Sequence, residues 1–188
     1  MKTDNIITQE TRQWLESTVI AYNFCPFAKR ELINNRIRFT VSHTEKLENF
    51  LENLILECEH LSSHNDIETT LLISPGAFTE FDDYLIMLEL AQALLIEQGY
   101  EGFYQLASFH PNYRFEGSDD NDPANYTNRS PYPMLHILRE ASLETALEHY
   151  KQPELIPENN IKTAKEIGLE QLQSILKSCY LEEENLPD

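Results

Sequence analysis

Between residues 36 and 109 three strand-like runs alternate with two stretches of helical spacing, and this alternation restricts the fold more than any other feature. In Arg36-Ile-Arg-Phe-Thr-Val41 basic or polar residues alternate with apolar ones, the period of a strand with one wet face. Thr69-Thr-Leu-Leu-Ile-Ser74 is β-branched and apolar and stops at Pro75-Gly76, as a buried strand ending in a turn does. Phe103-Tyr-Gln-Leu-Ala-Ser-Phe109 halts at His110-Pro111. Between these runs, Leu47, Phe50, Leu51, Leu54, Ile55 and Cys58 share one face of a helix over 45–61. Phe81, Tyr84, Leu85, Leu88, Ala91 and Leu95 form the stripe of a helix over 80–98, which Gly99 stops. Crossovers of this length permit a parallel, right-handed βαβαβ unit. The expected fold is a single α/β domain over 1–188, with a small, mainly parallel sheet and flanking helices. A chain of 188 residues, 41% hydrophobic, can fill one core and is short for two.

Outside this core, Trp14, Leu15, Thr18, Val19 and Tyr22 predict a helix over 8–22, and Pro26 turns the chain into a short second helix. Residues 111–130 are rich in Asn, Asp, Pro and Gly without apolar periodicity, which predicts a long loop. Its aromatics Tyr113, Phe115 and Tyr126 argue for order and function rather than disorder. Ser130-Pro131 reads as the N-cap and first residue of a helix running to about Tyr150. A last helix over 160–179 is broken near Gly168, and an acidic tail over 181–188 is expected to fray.

Charge narrows the functional classes. The net charge is −18, and residues 43–100 hold one basic and twelve acidic groups. Such a surface repels phosphate backbones, so no nucleic-acid partner is expected. No run of about 18 apolar residues and no signal-type start is present, so neither membrane insertion nor secretion is expected. Three scattered cysteines, Cys25, Cys58 and Cys179, do not form a disulfide framework and point to a cytoplasmic location.

In a parallel sheet, ligands bind beyond the carboxyl ends of the strands. The expected ends carry Ser42-His43, Ser74-Pro-Gly76 and Ser108-Phe-His-Pro111, which are expected to share one edge. His110 is the leading acid/base candidate, because a histidine held there can move a proton, ligate a metal or donate to an anion; its structural alternative is bonding a loop carbonyl. Arg129, ahead of a helix start, is a candidate anion clamp, with an ion pair to Asp119, Asp120 or Asp122 as its alternative. On the expected helix His136, Arg139 and Glu140 share a face, and Asn125 and Asn128 join them as substrate-orienting groups. His110 and His136 with one aspartate would also suit a divalent metal, though no tight ligand spacing occurs. Cys25 is a second catalytic candidate: at the start of a short helix its thiol pKa would fall, although Ala28 replaces the second cysteine of a Cys-x-x-Cys pair.

Asn23-Phe-Cys-Pro-Phe-Ala-Lys29, Thr69-Thr-Leu-Leu72, Phe81-Asp-Asp-Tyr84, Gln105-Leu-Ala-Ser-Phe-His-Pro111 and Tyr126-Thr-Asn-Arg-Ser-Pro-Tyr-Pro-Met-Leu-His-Ile-Leu-Arg-Glu140 resemble the signatures of the domain-of-unknown-function family numbered 1415. The resemblance spans about 10–170 and implies a soluble, mostly bacterial protein of this length, but assigns no activity or residue role. The residues themselves favour an enzyme for a small anionic molecule, working by hydrolysis or group transfer, with His110, His136, Arg129, Arg139, Asn125 and Asn128 in one site. Cys25 thiol chemistry and a nonenzymatic module docking through acidic helices are the alternatives.

Overall fold

The three strand-like runs all fold as strands, but a fourth strand separates two of them. In a computed structural model, which describes residues 2–181, the elements run α1 (Asp4–Trp14), a π-helical turn (Leu15–Ile20), α2 (Ala28–Ile33), β1 (Ile37–Val41), α3 (Leu47–Ser63), β2 (Thr69–Ile73), α4 (Phe81–Glu97), β3 (Tyr104–Phe109), β4 (Met134–Arg139), α5 (Glu140–Glu148), α6 (Ile156–Ile167) and α7 (Leu169–Ser178). The sheet order is β1-β2-β4-β3. β1 and β2 are parallel, whereas β4 is antiparallel to both of its neighbours. The α/β class is as expected, but the sheet is mixed and mostly antiparallel rather than mainly parallel.

The difference lies in residues 131–150, which split into β4 and α5 instead of forming one helix. Met134, Leu135 and Ile137 are fully buried, because β4 sits inside the sheet with a protein layer on each face. An apolar run covered on both sides has no wet face, so periodicity cannot separate strand from helix. The β2–α4–β3 connection is a split crossover, with β4 filling the gap between two strands that run the same way. The ends of β1, β2 and β3 therefore share one edge with the start of β4. There the Ser42 amide donates to the Ile73 carbonyl (2.8 Å) and the Ser74 amide to the Pro133 carbonyl (2.9 Å).

Helices α3 and α4 cover one face: Phe50, Leu54, Cys58 and Leu61, with Tyr84, Met87, Ala91 and Leu95, pack on Leu72, Leu135 and Ile137. The Tyr84 hydroxyl donates to the Met134 carbonyl (2.8 Å) and accepts from the Phe109 amide (3.1 Å), which locks β3 to β4 at the shared edge. On the other face Leu71, Ile73 and Met134 meet Trp14, Leu15 and Val19, with Ala164 and Leu172 from α6 and α7. Gly168, at φ +86°, makes the corner between those two helices. The segment expected as a structureless loop contains a 3₁₀ turn, Pro123–Thr127, started by Asp122, whose carboxylate accepts from the Ala124 amide. Among the described residues no helix is long and apolar enough to cross a membrane. The expected acidic tail at 182–188 lies outside the described residues.

Candidate functional site

Strand parity sorts the expected site residues onto opposite faces. Along β4, Met134, His136 and Leu138 point away from α3 and α4, and Leu135 and Ile137 point toward them. The register places His136 between Leu71 on β2 and Ala107 on β3. This row forms the floor of a cavity of about 560 Å³. Trp14, Leu15 and Val19 make one wall, Phe24 and Phe27 of the turn before α2 a second, and Leu143, Ala146 and Leu147 of α5 the roof. α5 has no buried residue of its own, so its apolar side rests on this cavity.

His136 is the polar member of this row. Burial alone acts on its imidazole and lowers the pKa from 6.5 to about 4, so the ring is neutral near pH 7. A neutral imidazole can donate from one nitrogen and accept at the other. Cys25 lines the same cavity and is partly covered. The backbone amides of Phe27 and Ala28 act to lower its thiol pKa, yet burial outweighs them and the pKa is raised. The lowered pKa expected from a helix start is thus reversed, since α2 begins only at Ala28 and the thiol is shielded from water. Burial also pushes Cys58 up to about 12 and raises Cys179.

Charges at the rim are already engaged. Arg30 pairs with Glu31 (2.6 Å), and Arg36 pairs with Glu68 (2.5 Å). Arg139, which also borders the cavity, turns its guanidinium to the end of α3, where it donates to the carbonyls of Leu61, His64 (3.2 Å) and Ile67 (3.1 Å). In a strand, residues 136 and 139 point to opposite faces, so the shared helical face expected for His136 and Arg139 does not exist.

The other expected site residues hold the 111–128 segment together. His110 is fully buried against Phe81 and Tyr84, on the opposite side of the sheet from His136. Its Nδ1 accepts from the Asn112 amide (3.0 Å), and its Nε2 donates to the Phe78 carbonyl (2.9 Å). Both nitrogens are therefore occupied in a neutral ring, and burial lowers its pKa. The Phe78 carbonyl belongs to a residue at φ +56°, a conformation that the His110 bond helps to hold. Arg129 donates to the carbonyls of Tyr113 (3.1 Å) and Asp120 (2.8 Å) and lies over the Tyr126 ring (4.6 Å). The Asn125 side chain accepts from the Phe115 amide and Ser118 hydroxyl and donates to the Asp119 carbonyl. Asn128 donates to the Ser108 carbonyl (3.0 Å), and His43 pairs with Asp4 at the start of α1 (2.5 Å). Arg129→Ala is expected to cost about 2 kcal/mol and to speed hydrogen exchange at the Phe115 and Asn125 amides, while leaving binding in the His136 cavity within about twofold.

His110 and His136 cannot share a metal, because the sheet lies between them. Among the described residues no group of three or more His, Cys, Asp or Glu side chains is placed to hold a metal ion. The structure thus brings together His136 and Cys25 and separates them from His110, Arg129, Asn125 and Asn128. The aromatic walls, Trp14, Phe24, Phe27 and Phe109, carry no sequence signal, since any core uses such residues. One signal was available: His136 is the lone polar residue between Met134 and Leu138, a position that a strand reading turns into a single polar point on an apolar face.

No curated protein and no solved structure matches this chain. A protein family described as protein of unknown function (DUF1415) matches residues 6–174. That match covers most of the chain and both segments that build the cavity floor and the 111–128 loop, and the protein belongs to this DUF1415 family.

Proposed function

We propose that the protein binds a small, uncharged and largely apolar molecule in the cavity above the sheet, with His136 as the group that orients it. One observation carries this reading: a neutral imidazole with no hydrogen-bond partner among the described residues lies in the floor of a mainly apolar cavity whose rim charges are paired. An imidazole with a pKa near 4 is a weak base at neutral pH, so its role is hydrogen bonding to a carbonyl, hydroxyl or amine of the ligand. An anionic substrate finds no support here, because Arg129 and Arg139 donate to backbone carbonyls.

Trp14 is the sole tryptophan and lines the cavity, so its fluorescence reports occupancy. Titration with the neutral dye N-phenyl-1-naphthylamine is expected to quench Trp14 saturably, with a Kd on the order of micromolar. Ala107→Phe, which fills the floor beside His136 without removing a polar group, is expected to weaken the dye at least about tenfold. The anion 1-naphthoate is expected to bind more weakly than the dye. Unsaturable quenching, or equal affinity in Ala107→Phe, would sink the reading.

A second reading, thiol chemistry on the bound molecule, rests on Cys25 lining the same cavity. It requires that the dye protect Cys25 from iodoacetamide. Faster labelling of Cys25 than of Cys58 and Cys179 is not enough, because those two are fully buried and would be slow in any case.

A further inference from the structure

Helix α4 is apolar on more sides than its packing uses. Tyr84, Met87, Ala91 and Leu95 face the sheet, yet Ile86 (56% exposed), Leu90 (42%) and Ile96 (58%) remain in water. Ile86, Leu90 and Ala93 follow one another at i, i+4 and i+7, so they form a continuous stripe. Asp82 and Asp83 stand at one end of the stripe, Glu97 at the other, and Glu89 beside it, all exposed. Near its start the stripe opens into a groove of about 410 Å³ with Leu47, Phe78, Ile86 and Met87 as apolar lining and Glu45 and Asp83 as carboxylates. Neither carboxylate forms an ion pair among the described residues. The neighbouring α3 exposes Glu48, Glu52 and Glu59.

We propose that the α4 stripe and this groove dock a basic amphipathic helix of another protein, its apolar face on Ile86 and Leu90 and a lysine or arginine seated between Glu45 and Asp83. Charge decides the occupant. Residues 43–100 hold one basic and twelve acidic groups, so a second copy of this chain would bring two strongly acidic faces together. A basic helix instead completes both the apolar stripe and the carboxylates, the groove recognition that amphipathic helices use. The 17 residues of α4 match a partner of roughly five turns.

The full-length protein is titrated, at physiological ionic strength, into a fluorescein-labelled peptide of leucine and lysine arranged with helical period. The control is a peptide of identical composition with leucine and lysine alternating. The helical peptide is expected to bind at least about tenfold tighter than the control. Leu90→Glu separates docking from bulk attraction, since it adds a negative charge while breaking the stripe. Docking requires it to weaken the helical peptide about tenfold or more, and Glu45→Lys with Asp83→Lys to weaken it as well. Equal binding of both peptides, or tighter binding by Leu90→Glu, would leave only nonspecific attraction and overturn the proposal. A dimer in sedimentation that Leu90→Glu dissociates would overturn it too, by making a second copy the occupant. These sites lie away from the His136 cavity, and the substituted side chains are exposed, so folding and dye binding serve as internal controls.

Discussion

Replacing His136 by leucine is expected to remove one defined part of the acid sensitivity of the fold. In the unfolded chain a histidine titrates near 6.5, whereas burial holds His136 at about 4 in the native protein. Between those values the unfolded chain binds one more proton than the native one, so stability falls as pH drops through this window. It is full above about pH 6.5, and the loss is complete near pH 4, where it amounts to about 3 kcal/mol. Leucine has no proton to bind in either state, so the variant loses this slope. His110, also lowered by burial, keeps a smaller slope of the same sign in both proteins. Urea unfolding at pH 7 and near pH 4.5 measures the effect. At pH 7 the variant should be at least as stable as the parent, because an apolar side chain suits this floor better than an imidazole with no hydrogen-bond partner among the described residues. It should also lose affinity for the dye, the trade of function against stability that a polar group in an apolar site implies. An unchanged acid slope in the variant would show that His136 is not the group responsible.

Glu10→Ala is expected to be the most damaging single substitution away from the aromatic core. Glu10 is fully buried on α1. One carboxylate oxygen accepts from the Lys2 ammonium and from the Leu181 amide (2.8 Å), and the other accepts from the Tyr132 hydroxyl. The carboxylate thereby joins the start of the described chain, the approach to β4 and the residues after α7. Burial and the Glu10 carboxylate together raise the Tyr132 phenol, which stays protonated and donating. Alanine leaves the Tyr132 hydroxyl and Leu181 amide without their acceptor and Lys2 without its counter-charge. The expected cost is about 3–5 kcal/mol, a large share of the stability of an ordinary domain. For a chain of this size that corresponds to a fall in Tm on the order of 10 °C. Glu10→Gln should lose less, because its amide oxygen still accepts one of these bonds. Thermal unfolding of the two variants tests the clasp, which carries little weight if the alanine variant melts within about 2 °C of the parent.

Helices α3 and α4, strands β1 to β3 and the break at Gly168 were legible from local pattern. Each is an amphipathic stripe or a short apolar run bounded by Pro or Gly, so neighbouring residues carry enough information to define it. The shared edge at Ser42, Ser74 and His110 followed from the same order, because both crossovers begin at that edge. The class of the sheet was legible, but its pairing was not. Nothing within Met134-Leu-His-Ile-Leu-Arg139 marks it as a strand, since burial on both faces erases the alternation, and its place depends on β3 residues at least 25 positions upstream and β2 residues more than sixty positions upstream.

The candidate site divides along the same line. The sequence by itself determined the set of polar candidates: two histidines, two arginines, two asparagines and Cys25, gathered in a few segments. Only the tertiary structure decided which of them line the cavity. As a helix, the 131–150 segment would have set His136 beside Arg139; as a strand it sends one to the cavity and the other to the end of α3. His110, Arg129, Asn125 and Asn128 are polar groups in a segment whose buried backbone needs partners, and they supply them. The cavity itself is a property of packing: apolar side chains from α1, the turn before α2, all four strands and α5 leave a space that none of them fills. A void of that kind is set by how layers meet, and layers meet through contacts distant in the chain, where local sequence has no voice.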